Sequence, residues 1–352
     1  MTSPLHRHHQ FRTREGLSGL NRRDWLFRTA AAAGAGLLLP RVSWTADSPA
    51  ESDSPLIVRS QGPLNAEPPL DQLIKNWITP TELFYVRSHA ATNPEVDVET
   101  FRLTVDGSVE KPLALSLSEL SERFKATEVT ATMCCAGNRR DEHSRIKPVD
   151  GVQWSAGALG NAKWGGVRLA DVLQHAGIKG DAKHVCFEGL DRHEKSGKEI
   201  IFGGSVPLDR VLADDPLGDV LIATTMNGQP LTADHGAPVR TVVPGFIGAR
   251  SVKWLSRIHV SDQPSDNYYI TSAYRLISES TPAAWQAADI LYELPLQSVI
   301  CTAKEVMNKK RSQLEVKGYA MAPGHAGRKV ARVELSIDGG KTWTSAEMLG
   351  KP

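Results

Sequence analysis

The junction between Glu128–Met133 (EVTATM) and Cys134-Cys135-Ala136-Gly137-Asn138 constrains the fold more than any other stretch of the chain. The first segment is β-branched and alternating, the pattern of a strand with one buried face. Ala-Gly-Asn then demands a turn. Cys135 therefore leaves the end of a strand into a tight loop, and Arg139 and Arg140 follow at once. Positive charge beside a thiol favours the thiolate, and a soft thiolate suits a metal that accepts sulfur. The competing reading is a buried structural cysteine, a common fate for a free thiol. The residues alone leave the two readings level.

The elements around this junction are short and mixed. Leu83–Val86 and Phe101–Val105 read as strands, the second ending at Asp106-Gly107, a hairpin signal. Ser116–Phe124 and Leu169–Ala176 have helical apolar spacing, and Pro207–Leu212 reads as another short helix. Val185–Phe187, Val220–Thr225 and Val239–Val243 read as strands. This is an α+β pattern without internal repeats. No GxGxxG follows a strand and there is no Walker sequence, which removes dinucleotide and nucleoside triphosphate readings. A second unit begins near Leu294, where Leu314–Ala320 and Val330–Ile337 are β-like and Asp338-Gly339 turns the chain. These features suit a β-sandwich, although residues 297–352 supply only about half of the roughly 100 residues that an immunoglobulin-like sandwich uses.

A chain of 352 residues accommodates about two such domains. Its formal net charge of +1 creates no general attraction to nucleic acid or anionic membrane, so an anion site must be built locally. The four cysteines, Cys134, Cys135, Cys186 and Cys301, form no CxxC or CxxCH; zinc-ribbon, thioredoxin-like and c-type haem readings lack their motif.

Residues 1–46 read as a signal peptide. A basic leader precedes the apolar run Thr29–Pro40, which is shorter than the roughly 20 residues that span a bilayer. Arg22-Arg23 in NRRDWLF is similar to the twin-arginine signal, so export of the folded protein to the periplasm is expected, with cleavage after Ala46 or Ala50 and no stable membrane anchor afterwards. Residues 47–78 read as an irregular lead-in, 79–293 as the main α+β domain and 294–352 as the partial β-sandwich.

The string CAGNRR, with FYVRSH before it and MNGQPL, DHGAPVR and VVPGFIGARSVKWL after it, resembles the molybdenum domain of the sulfite oxidase family. The likeness runs from about Phe84 to Tyr274 and continues weakly to the end. It implies a sulfite-oxidase-type molybdopterin-binding domain followed by an incomplete immunoglobulin-like sandwich that mediates homodimer formation. It implies that Cys135 bonds to molybdenum, two further sulfurs coming from one molybdopterin, and that Cys134 faces the other way along the strand. Cofactor contacts carried over by motif are Phe84, Arg87, His89, Asp191, His235, Arg240, Ser251, Val252 and Lys253. The substrate pocket takes Arg87, Arg140, Trp154 and Tyr274; Tyr268 and Tyr269 compete with Tyr274 because that alignment rests on spacing.

The implied activity is oxidation of sulfite to sulfate by oxygen-atom transfer, with molybdenum–molybdopterin as cofactor and no haem in this chain. Electrons are then expected to pass to an external c-type cytochrome or haem subunit. Three rivals share features of the pattern: a sulfane dehydrogenase, a methionine-sulfoxide reductase on the same fold, and a non-catalytic cofactor-binding or assembly protein. Arg139-Arg140 speaks against the first, and CAGNRR itself against the second.

Overall fold

A computed structural model describes residues 54–349 except 196, 215, 216, 278, 309, 310 and 326; the expected signal peptide lies outside the described residues. The strand read from EVTATM runs over Ala126–Cys134, alternates between exposed and half-buried at its start, and becomes buried only from Ala131 onward. Its cysteine end is thus the end driven into the core. It pairs antiparallel with Leu159–Arg168 along its whole length. Leu159–Arg168 pairs on its other edge with Leu221–Met226, which also carries Arg240–Val242 and Gln229–Pro230.

Leu159–Arg168 (LGNAKWGGVR) is a central strand that β-propensity does not reveal, because three of its ten residues are glycine. Close packing explains why a glycine belongs there. A Cβ on Gly160 would lie 2.5 Å from the Phe84 ring, which rests on the strand.

A second sheet has the order Leu113–Leu115, Leu103–Gly107, Leu255–Ser261, His184–Lys195, Lys198–Pro207. Leu255–Ser261 runs parallel to Leu103–Gly107, and the other pairs are antiparallel. The core joins the two sheets through the helix Leu169–Ala176, whose Leu169, Val172, Leu173 and Ala176 are wholly buried with Val105, Phe187, Leu255 and Ile258. The helix Leu117–Arg123 starts where the serine signal places it, with Ser116 and Glu119 capping each other reciprocally.

Three expectations are corrected. Leu83–Val86 is not one strand: Thr81–Leu83 forms a single tight helical turn, and the strand is Val86–Arg87. Asp106-Gly107 is not a hairpin turn: the strand continues through it beside Leu255–Ser261, because Arg257 grips the Asp106 carboxylate with two hydrogen bonds (2.8 and 3.0 Å) and His259 adds a third. The lead-in is not irregular over its described part. Ile57–Gln61 and Leu64–Glu67 form an antiparallel pair extended by Val86–Arg87, and Leu70–Leu73 is helical. That pair is held by buried polar side chains, Asn65 and Glu67, rather than by apolar alternation. The carboxylate of Glu67 accepts from Arg59 Nε and from the amides of Ser155 and Gly157.

After Leu294 comes a long hairpin of Gln297–Asn308 with Arg311–Met321. Beyond it only Glu334–Leu335 of the Val330–Ile337 stretch is strand, paired with Thr344–Ser345. Among the described residues no helix is long and apolar enough to cross a membrane.

Candidate functional site

A cavity with about 630 Å³ of empty space, mouth included, opens where the cysteine end of the first sheet meets the second. Phe84, Arg87, His89, Cys135, Asp191, His235, Arg240, Ser251, Lys253 and Tyr274 all line it. Loops far apart in the chain therefore converge on one volume, which is where a binding site is expected to form.

Cys135 is a free, buried thiol. Its amide donates to Ala158 O (2.9 Å), its carbonyl accepts from Asn138 N (3.0 Å), and Gly137 N lies 3.4 Å from its sulfur. The loop closes tightly because Arg140 folds back over it, donating Nη1 to Val152 O at 2.7 Å. A Cβ on Gly137 would run into the Arg140 guanidinium, so a larger residue there would displace Arg140 from its place over the loop. Arg139 does not serve the thiol as a neighbouring cation. It adopts a left-handed backbone (φ 68°), forms a bidentate pair with Glu142 and donates to Ser298 O. Cys134 packs with Leu73, Leu159, Ile247 and Leu294, and burial pushes its thiol pKa far up.

Arg87 is oriented from behind by Asn65, whose Oδ1 accepts from Arg87 Nη1 (3.1 Å) and Ser88 N (3.2 Å). Arg87 Nη2 sits 2.8 Å from His89 Nε2. A guanidinium only donates, so His89 accepts through Nε2 and carries its proton on Nδ1. Burial, reinforced by Arg87, holds the His89 pKa well below the ordinary imidazole range. The Tyr274 hydroxyl reaches the same nitrogen at 3.4 Å. With that single lone pair taken by Arg87, the phenol is left free to donate into the cavity. Of the three candidate tyrosines only Tyr274 lines the cavity; Tyr269 bonds to His193 at 2.7 Å, and Tyr268 lies under Lys195.

The far wall is cationic. Arg240 donates to the carbonyls of His235 (2.9 Å), Ser251 (3.1 Å) and Thr241 (3.3 Å), with its guanidinium over the Trp164 ring. Lys253 Nζ donates to Ser88 Oγ and Asp234 O, both at 2.9 Å. Removal from water, with Arg240 close by, lowers the Lys253 pKa to about 7, and burial lowers that of His235 to about 4. Burial raises Asp191 to about 6, and its Oδ1 is buried with no hydrogen-bond partner among the described residues.

Three expected site residues lie outside the lining. Val252 is wholly buried, and both its backbone groups bond to Thr241 (N to Thr241 Oγ1, O from Thr241 N), so neither faces a ligand. Arg140 sits behind Gly137. Trp154 is wholly buried against Tyr85, with Nε1 unpartnered among the described residues. Tyr85, Met133, Phe202 and Asp234 line the cavity without having been singled out. Tyr85 and Asp234 adjoin chosen residues in FYVRSH and DHGAPVR, whereas Met133 and Phe202 gave no signal beyond ordinary strand hydrophobicity.

The site fits a molybdopterin. Unpartnered Asp191 Oδ1 suits a ring N–H, the Arg240–Lys253 wall suits a phosphate, and the free thiol suits the metal. Among the described residues no three His, Cys, Asp or Glu side chains converge as a metal site; the donor set here is one thiol beside the cation-lined cavity. An anion in this cavity favours protonated Lys253 and neutral Asp191. Phosphate binding by cofactor-free protein is therefore expected to weaken as pH rises through about 6 to 7, where Asp191 gains charge and Lys253 loses it. The loss is up to about tenfold per pH unit for each proton required. Calorimetric titration at pH 6 and pH 8 measures it, and equal affinities would contradict it.

Residues 89–269 match the oxidoreductase molybdopterin binding domain, and residues 288–352 match the Mo-co oxidoreductase dimerisation domain. The sulfite oxidase of Gallus gallus is 44% identical over 315 residues, covering 87% of this chain and 67% of that protein. The NAD(P)H nitrate reductase of Hordeum vulgare is 41% identical over 313 residues, 84% of this chain and 34% of that protein. The chain spans about half the length of the mammalian sulfite oxidases it matches. The solved structure of the sulfane dehydrogenase SoxCD from Paracoccus pantotrophus matches with a TM-score of 0.66 at 26% identity, over 91% of this chain and 76% of that one. The chain belongs to the sulfite oxidase family of molybdopterin oxidoreductases, with its molybdopterin-binding domain followed by the immunoglobulin-like dimerisation domain.

Proposed function

We propose that this chain oxidises sulfite to sulfate by oxygen-atom transfer at a molybdenum–molybdopterin centre held by Cys135. The observation that carries the proposal is the buried free thiol opening into a cation-lined cavity beside the Tyr274 hydroxyl. The bound cofactor supplies the two-electron redox chemistry. Arg240, Lys253 and Ser251 hold its phosphate, Asp191 accepts from its ring, and Phe84 and His235 pack against it. Arg87 attracts the sulfite dianion, and Tyr274 donates a hydrogen bond to it. Arg140 and Trp154 back the substrate pocket from behind Gly137 and Tyr85.

Arg87→Met is expected to raise KM for sulfite at least about tenfold while kcat changes less, since a hydrogen bond to a charged group is worth roughly 1.5–3 kcal/mol. Steady-state kinetics with ferricyanide read both constants. The whole proposal is tested by molybdenum analysis followed by sulfite-dependent ferricyanide reduction on the same sample, with thiosulfate and nitrate as comparison substrates. Metal-containing protein that turns over thiosulfate or nitrate but not sulfite would replace the substrate. Metal-free protein from a cofactor-competent host would remove the enzyme reading.

Electrons leave to an external c-type cytochrome or haem subunit on this reading, and rapid peroxide formation without cytochrome reduction would oppose it. The Arg22-Arg23 leader supports export to the periplasm, testable by cell fractionation. The dimerisation-domain match supports a homodimer, testable by light scattering.

A further inference from the structure

We propose that the C-terminal hairpin Gln297–Met321 is part of the support of the metal-binding loop, and that Asn138 is the positioning residue that joins the two. This rests on the reading of Cys135 as the metal thiolate. Asn138 stands three residues after Cys135 and is 9% exposed. Its Oδ1 accepts from Ala158 N at 3.0 Å, and Ala158 is the residue whose carbonyl receives the Cys135 amide. Its Nδ2 donates to Gln297 Oε1 at 2.8 Å and to Tyr319 Oη at 3.0 Å, one residue from each strand of the hairpin. Tyr319 Oη donates in turn to Ala156 O at 2.9 Å, returning the chain of bonds to the segment that receives the Cys135 amide.

Both N–H groups of the Asn138 amide are thus engaged on the second domain, and its oxygen is engaged on the first. An apolar contact would let the loop slide. Directional bonds on both sides fix the backbone from which Cys135 projects. Arg139 adds a parallel tie through Ser298 O at 3.1 Å. The second domain therefore bears on cofactor retention as well as on assembly.

The test uses the full cofactor-loaded chain as wild type, Tyr319→Phe, Gln297→Leu, Gln297→Glu and Cys135→Ser. Molybdenum per chain is followed through prolonged dialysis, together with the thiolate-to-molybdenum charge-transfer absorption and thermal melting. Tyr319→Phe and Gln297→Leu are expected to melt within a few degrees of wild type, yet to lose molybdenum about tenfold faster with a shifted absorption band, in the range seen when groups supporting metal ligands are removed. Gln297→Glu keeps the acceptor for Asn138 Nδ2 and is expected to retain metal as wild type does. Unchanged retention and absorption in Tyr319→Phe and Gln297→Leu would overturn the proposal, as would Gln297→Glu failing like Gln297→Leu. Metal-free wild type, or Cys135→Ser with retained metal and an unaltered band, would overturn the reading of Cys135 and this proposal with it.

Discussion

Cys135→Ser is expected to abolish sulfite-dependent turnover and to strip molybdenum from the purified protein, while Cys134→Ala keeps both. Losing a group that merely supports a metal ligand costs roughly 10–100-fold, and losing the ligand costs more. The two cysteines are adjacent in sequence but opposite in surroundings. Cys135 faces the cavity, whereas Cys134 is wholly buried among Leu73, Leu159 and Ile247. Its truncation should cost only about 1 kcal/mol of stability, the ordinary scale for a point change. Parallel measurements of metal content and ferricyanide reduction on both variants decide the matter. Equal losses would mean that the loop as a whole, and not one sulfur, is responsible.

Arg250→Met is expected to destabilise the protein by about 3–5 kcal/mol, since each buried acceptor left unpaired costs roughly 1–3 kcal/mol. Arg250 is wholly buried and donates to Tyr269 O (2.9 Å), Leu291 O (2.8 Å from Nη2, 3.1 Å from Nε) and Tyr274 O (3.4 Å). Burial lowers its pKa to about 10, so it remains charged at neutral pH. Its guanidinium lies between the rings of Tyr274 and Tyr292. Tyr274 itself is held at φ 52°, a left-handed conformation that a non-glycine residue adopts only under support. A melting temperature lower by several degrees should therefore accompany a weakened Tyr274 contribution. Arg250→Lys should recover only part of the stability, because one ammonium cannot reach all three carbonyls. Differential scanning calorimetry of both variants measures this; melting within a degree of wild type would contradict it.

How much of this was legible in sequence depended on what each residue uses to hold its place. Ala126–Cys134 was readable because β-branched alternation and a turn signal are local properties. The cavity-lining residues were readable through long ordered motifs, and the structure brings Phe84, His89, Asp191, His235, Arg240 and Lys253 from separate loops to one cavity. Leu159–Arg168 was hidden because its glycines answer demands made by residues distant in sequence, Phe84 at Gly160, Thr225 at Gly165 and Ile222 at Gly166. The 57–67 strands were hidden because Asn65 and Glu67, polar and wholly buried, are satisfied by Arg87, Ser155 and Gly157. Arg139 was misjudged for the same reason: proximity to Cys135 in sequence suggested a cation for the thiol, but its left-handed backbone turns it toward Glu142 and the second domain. Burial of polar groups is a decision of the tertiary structure, and sequence patterns do not carry it.

The central claim is that Cys135 supplies one sulfur to a molybdenum held by molybdopterin. X-ray absorption at the molybdenum edge, on loaded wild type and on whatever metal Cys135→Ser retains, tests it most directly. The account predicts one sulfur neighbour fewer in Cys135→Ser and no change in Cys134→Ala. The same sulfur number in wild type and Cys135→Ser would contradict it.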